Sequence, residues 1–149
     1  MFLRNSSPQP KGISMKILRP DFEKRHGLVT VVTQEAGSGR ILMVASTDEA
    51  GFMETLKTGN ATYWSTSRKE RWCKGETSGA FQRVRDIRVD CDGDAVIYVV
   101  VQEGDGACHT GAESCFYRSV LGEQIMEAPK AGEKEKLATM DIPVNECFL

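Results

Sequence analysis

No apolar run in the chain approaches the roughly 20 residues that cross a bilayer, and its first 20 residues lack a continuous apolar stretch followed by a small-residue cleavage site. Neither a membrane span nor a secretory leader is expected, and the chain reads as cytoplasmic. Charge of one sign is also missing. A formal net charge of -2, spread over 27% charged residues of both signs, builds no field that would gather a nucleic-acid backbone or an anionic membrane. Neither is expected as a partner. Internal repeats are absent, as are the tight cysteine pairs that mark most structural zinc ribbons. At 149 residues the chain is short for two full domains, yet long enough to bury a core without disulfide staples.

What is present is organised around short β-rich segments. Residues 1 to 20 carry Asn5, Ser6, Ser7, Pro8, Pro10 and Gly12 and read as a variable leader without chemistry. Leu28 to Thr33 and Arg40 to Ala45 flank Gly37-Ser38-Gly39 and predict a hairpin. A helix follows, with Asp48 as N-cap, an apolar face of Phe52, Leu56 and Met53, and Gly59 at its end; Gly51 should weaken it by up to about 1 kcal/mol against alanine. Ala61 to Thr66 reads as a strand and the basic stretch Ser67 to Gly79 as a loop. Phe81 to Val89 and Ala95 to Gln102 read as strands around the turn Asp90-Cys91-Asp92-Gly93-Asp94, the second apolar enough to be buried on both faces. The fold class is mainly β, an α+β domain with one short helix over residues 21–119, followed by a mostly polar tail over 120–149.

Five cysteines in a reducing compartment are more often buried, reactive or metal-bound than paired. Cys91, Cys108 and Cys115 are separated by gaps of sixteen and six residues and stand among His109 and three aspartates. Three thiolates without an obvious fourth ligand match a zinc site that keeps one position for water; taken singly, each cysteine also suits a buried apolar position. Cys73 and Cys147 lack such company and read as ordinary cysteines. His109 follows Cys108 directly, so in an extended segment the two point apart, and the imidazole is better placed as a base than as a ligand. A zinc centre with three thiolates has a formal charge of -1 and acidifies bound water less than one with three imidazoles, which gives such a base a purpose.

Asp90, Asp92 and Asp94 concentrate hard oxygen donors around a Gly turn, suited to magnesium, or else simply to solvent. The segment is not an EF-hand loop: Gly93 is fourth rather than sixth, and Val101 stands at position twelve. Lys74-Gly75-Glu76-Thr77-Ser78-Gly79 is not a Walker loop either, but with Arg68, Lys69 and Arg71 before it, it forms a candidate anion site as well as an ordinary surface turn. Tyr63 and Trp64 suit either base stacking or the core.

Taken together, YWSTSR (63 to 68), KGETSG (74 to 79), QRVRDIRVDCDGDA (82 to 95) and ACHTGAESCFYR (107 to 118) resemble the phosphoribosyl-AMP cyclohydrolase family of histidine biosynthesis. The similarity extends more loosely from about Gly27. The resemblance implies zinc (Zn2+) on Cys91, Cys108 and Cys115, magnesium (Mg2+) on Asp90, Asp92 and Asp94, and His109 as catalytic base. It implies a small intertwined homodimer whose zinc ligands come from both subunits. Water activated at zinc would add to C6 of the adenine ring of 1-(5-phosphoribosyl)-AMP, and the N1–C6 bond would break. Trp64, Arg68, Lys74, Gly75, Thr77, Ser78 and Gly79 are the candidate substrate contacts. Ser46 and Thr47 depart from the family, which usually has an aromatic residue and Met there. The residues after Arg118 are too few for the pyrophosphohydrolase domain with which the family is often fused.

Chain geometry points to the same dimer. A straight strand over Ala95 to Gln102 spans about 26 Å, and the six steps from Gln102 to Cys108 reach at most roughly 20 Å. A return to Cys91 within one chain is awkward, whereas a two-fold partner running the other way could supply the missing thiols. Two other functions remain open: a non-catalytic, zinc-stabilised interaction module, and a related hydrolase acting on another purine nucleotide.

Overall fold

In the computed structural model, residues 15–121 and 137–148 are described. Most of the leader, residues 1–14, and the first part of the tail, 122–136, lie outside them. Among the described residues no helix is long and apolar enough to cross a membrane.

The hairpin is present and longer than the apolar residues alone indicate. β1 (Leu28–Glu35) pairs antiparallel with β2 (Ile41–Asp48). Polar Gln34 and Glu35 stay in the ladder, and the Glu35 amide donates to the Arg40 carbonyl at 2.8 Å. Helix α1 (Glu49–Thr58) runs between the expected caps: the Asp48 carboxylate accepts from the Gly51 amide at 2.8 Å, and Gly59 ends the helix at φ 75°.

Its buried face matches the expected one at Phe52 and differs at the other positions. Gly51, Phe52 and Thr55 are buried, whereas Met53 and Leu56 are exposed. A β-carbon on Gly51 would lie 2.6 Å from the Thr47 hydroxyl, so glycine is what allows the close approach to β2. Thr55 satisfies its hydroxyl internally, donating to the Gly51 carbonyl at 2.9 Å and accepting from the Thr62 amide at 3.0 Å.

β3 (Thr62–Ser65) pairs with β4 (Glu70–Cys73), a strand within the stretch read as a loop. Among the described residues only one side of β4 is paired, and its polar Glu70 and Arg71 are exposed, which is how a charged segment can be an edge strand. β5 (Gln82–Val89) and β6 (Ala95–Gln102) form the second antiparallel pair, and β6 lies parallel to β1. The order is β4-β3-β2-β1-β6-β5. The sheet then curls until β5 meets the chain entering β3: Asn60 bridges to Arg83, the Ala61 amide donates to Gln82 at 2.9 Å, and the Val84 amide donates to Gly59 at 2.8 Å.

The interior holds Val29, Val31, Leu42, Val96, Tyr98 and Val100, capped by Phe52 and Phe22. A buried polar thread runs through it. The Tyr63 hydroxyl bonds Thr33 at 2.7 Å and donates to Gln82, whose amide donates to Gln102 at 2.9 Å. On β6 only the face of Val96, Tyr98 and Val100 is fully buried; Ile97 and Val99 are half-buried and Val101 is exposed. Within one chain, burial of both faces is incomplete.

Candidate active site

β6 separates two groups of chemically active residues. At its N-terminal end the Asp-Gly step turns the chain from β5, with the Asp90 amide donating to the Ala95 carbonyl at 3.0 Å. Asp90, Asp92 and Asp94 each place a carboxylate oxygen within 4.8 Å of the others. Among the described residues this is the one cluster of three potential metal ligands so close together. Cys91, in the same turn, is exposed.

Residues 21–27 pack against one side of the acidic turn, where Asp94 is buried while Asp90 and Asp92 stay exposed. The Asp21 amide donates to Gly93 at 2.8 Å, the Lys24 ammonium lies 2.7 Å from Asp92 Oδ2, and the Arg25 guanidinium lies 2.9 Å from Asp94 Oδ2. The Lys24 bond lowers the Asp92 pKa below the usual carboxylate value, and Asp92 in turn raises that of Lys24. Sequence reading missed both cations, because they are some 70 positions away from their partners, at separations of 68 and 69.

Beyond the C-terminal end of β6, residues 107–115 fold back on themselves and onto β2. The Cys108 amide donates to Ala112 at 3.2 Å, the Gly111 amide to Cys108 at 3.0 Å, and the Cys115 amide to Leu42 at 2.8 Å. A β-carbon on Gly106 would lie 2.4 Å from the Ala112 carbonyl oxygen, so this tight return requires glycine. The Cys108 and Cys115 thiols become neighbours. Burial of the sulfur, and then the Cys108 thiol beside it, push Cys115 up to about 12, although the residue as a whole remains exposed. The Thr110 hydroxyl donates to Cys108 Sγ at 3.0 Å, a contact that the spacing of two residues alone did not reveal. His109 is exposed on the same loop.

Lys74 joins the thiol pair. Its half-buried ammonium is pushed below the usual lysine value by burial, while Cys115 and Cys108 pull it back up, and it sits 5.8 Å from the Trp72 ring centroid. Gly75 is buried, and a β-carbon there would lie 2.3 Å from the Phe81 amide nitrogen at φ +91°. Thr77, Ser78 and Gly79 are exposed, and the Gly79 amide closes the turn on the Gly75 carbonyl at 2.8 Å. Arg68 is at the tip of the β3–β4 hairpin, within 3.3 Å of Glu70, so the length of β4 separates it from Lys74. Trp64 is half-buried opposite Arg71 and Ser46. Tyr63 is fully buried and takes the core role rather than a stacking one. Thr47, at one of the two unusual positions, is buried with its hydroxyl donating to the Thr62 carbonyl at 3.2 Å.

Two of the three zinc candidates therefore meet at one end of β6, and the third stands at the other. Their soft sulfur donors suit zinc, and the clustered hard oxygens suit magnesium. A protein-family model described as phosphoribosyl-AMP cyclohydrolase matches residues 43–117. The chain is 50% identical over 105 residues to the phosphoribosyl-AMP cyclohydrolase of Desulfatibacillum aliphaticivorans, covering 70% of this chain and 84% of that one. It is 55% identical over 98 residues to the enzyme of that name from Methanothermobacter thermautotrophicus, covering 66% and 70%. Against the histidine biosynthesis bifunctional protein HisIE of Aquifex aeolicus it is 50% identical over 99 residues, covering 66% of this chain and 48% of the longer relative. With the fold, the acidic turn and the thiol pair in one uninterrupted frame, the chain belongs to the phosphoribosyl-AMP cyclohydrolase family of hydrolases.

Proposed function

We propose that the protein opens the adenine ring of 1-(5-phosphoribosyl)-AMP by hydrolysis of the N1–C6 bond, as a cytoplasmic step of histidine biosynthesis, in a zinc- and magnesium-dependent homodimer. The observation that carries this reading is the pairing of the Cys108 and Cys115 thiols beside Lys74, at the end of β6 remote from Cys91. Cys108 and Cys115 of one subunit, with Cys91 of the other, would hold zinc. Asp90, Asp92 and Asp94 would hold magnesium. When bound, zinc supplies the Lewis acidity that activates water for addition to C6.

The protein's own residues do the rest. His109 accepts the proton lost by the attacking water and returns one to the departing ring nitrogen N1, so that the oxygen stays on C6 as a carboxamide. Thr110 steadies the Cys108 sulfur through its hydroxyl. Lys74 offsets the -1 formal charge of a three-thiolate centre, an additional role to contacting a substrate phosphate. Arg68 and the turn Gly75 to Gly79, exposed at Thr77, Ser78 and Gly79, are the remaining phosphate contacts, and the half-buried Trp64 offers a ring face to the base.

The test is direct. Purified protein of measured zinc content is mixed with phosphoribosyl-AMP, and the ultraviolet spectrum is followed. Ring opening should proceed with zinc present, stop on chelation and return on zinc addition. An unchanged spectrum with zinc-replete protein refutes the reading.

A further inference from the structure

Three carboxylates whose oxygens lie within 4.8 Å repel one another strongly unless positive charge is close by. This chain brings that charge from residues 21–27. Phe22, only 3% exposed, anchors the segment in the core, and the Gly27 amide donates to the Phe22 carbonyl at 2.7 Å. The Lys24 amide donates to Asp21 Oδ1 at 3.2 Å, and the Asp21 amide is bound to Gly93 inside the acidic turn itself. The two turns are thereby fixed against each other. From this base Lys24 reaches Asp92 Oδ2 at 2.7 Å, and Arg25 reaches Asp94 Oδ2 through Nε at 3.0 Å and through a terminal nitrogen at 2.9 Å. Asp90 accepts from the Ala95 backbone amide at 3.3 Å.

We propose that Lys24 and Arg25 are exchangeable counter-ions of the Asp90/Asp92/Asp94 site, so that a divalent cation enters by displacing two side-chain cations from the carboxylates. The inference rests on the magnesium reading of that triad and adds to it what sets the affinity. With the metal away, the two cations keep the carboxylates together and charge-balanced. When a metal binds, they give up those oxygens to it but, tethered by residues 21–27, still stand beside a doubly charged ion. One unit charge about 5 Å from a divalent ion weakens its binding by roughly tenfold even in a water-like dielectric. The site is thus preformed but deliberately weak for its charge, and magnesium occupancy follows its free concentration instead of being permanent.

Magnesium titration calorimetry on the full-length protein at matched zinc content tests this. Lys24→Met and Arg25→Met keep most of the aliphatic stem and remove the charge. Each should tighten magnesium binding by several-fold to about tenfold, the double variant further. Lys24→Arg should bind as wild type does, and Asp92→Asn should bind more weakly. In the absence of magnesium both neutral variants should melt at or below the wild-type temperature, and magnesium should raise their melting temperature by more. Wild-type binding with unchanged or weaker affinity in both folded Met variants overturns the exchange and leaves the magnesium reading standing. No saturable binding in any variant overturns both. Binding by the double variant alone supports the exchange.

Discussion

Cys91→Ala and Cys108→Ala chains, each inactive alone, should recover activity when co-expressed. Cys91 lies beyond the Ala95 end of β6, and Cys108 follows its Gln102 end. Eight extended residues separate the two ends by about 26 Å. Three sulfurs on one zinc, each about 2.3 Å from the metal, must lie within about 4 Å of one another. Folding the 107–115 loop back onto Leu42 brings Cys115 to Cys108, but does not bring either into a three-ligand cluster with Cys91. A site completed across a two-fold axis perpendicular to β6 would remove the conflict, because β6 of the second copy would then run the other way.

The magnitude follows from counting sites. In a mixed dimer, one site takes Cys91 from the Cys108→Ala chain and both remaining thiols from the Cys91→Ala chain, and is intact. The other site inherits both substitutions. With random assembly about half the dimers are mixed and half of their sites are whole, so activity should reach about a quarter of wild type. Differently tagged chains isolated by tandem purification should give about half. Zinc content should follow the same fractions, which separates restored metal sites from a mere recovery of folding. Mixed dimers confirmed by mass spectrometry but lacking activity and added zinc would refute the shared site.

The other predictions concern single positions. His109→Ala should keep its zinc and lose turnover by roughly 100-fold or more, measured as ring opening beside metal analysis; loss of the metal together with the fold would instead favour a closed structural site using His109. Gly75→Ala should destabilise the protein by at least about 2 kcal/mol in urea titrations, because a β-carbon there meets the Phe81 amide nitrogen at 2.3 Å with φ at +91°. Burial raises the pKa of Tyr63 and Tyr98 above the ordinary tyrosine value, so the unfolded chain loses those protons first. Stability should hold below about pH 10 and fall above it, by up to about 1.4 kcal/mol per pH unit per tyrosine, and Tyr63→Phe should flatten the decline. Equal slopes in both proteins would refute that cause.

Elements whose signals are local could be read from the sequence. The limits of α1 followed from the Asp48 and Gly59 caps, and the β1–β2 hairpin from its glycine turn, because both depend on neighbouring residues alone. Of the buried face of α1 only Phe52 did, since Gly51 and Thr55 are buried for what they meet in β2 and at Thr62, a contact carrying no apolar signature. β4 escaped for the same reason: an edge strand of Glu70, Arg71, Trp72 and Cys73 is held by its ladder to β3 and can keep its charges in solvent. The parallel pairing of β1 with β6 joins segments more than 60 positions apart, and no turn announces it.

That pairing also decides how much of the site one chain can show. β1 and β5 lie on either side of β6 and keep it extended over its full ladder, so the acidic turn and the thiol loop cannot approach by bending the strand between them. The half-buried Ile97 and Val99 fit the same geometry, because a strand apolar on both faces but covered on one has a second face to cover. A two-fold partner laid on that face would bury it and bring Cys91 toward the partner's paired thiols in a single act of assembly. In such a dimer, association and completion of the zinc site would be one equilibrium. Zinc should therefore strengthen subunit association, and dilution should release metal and subunits together.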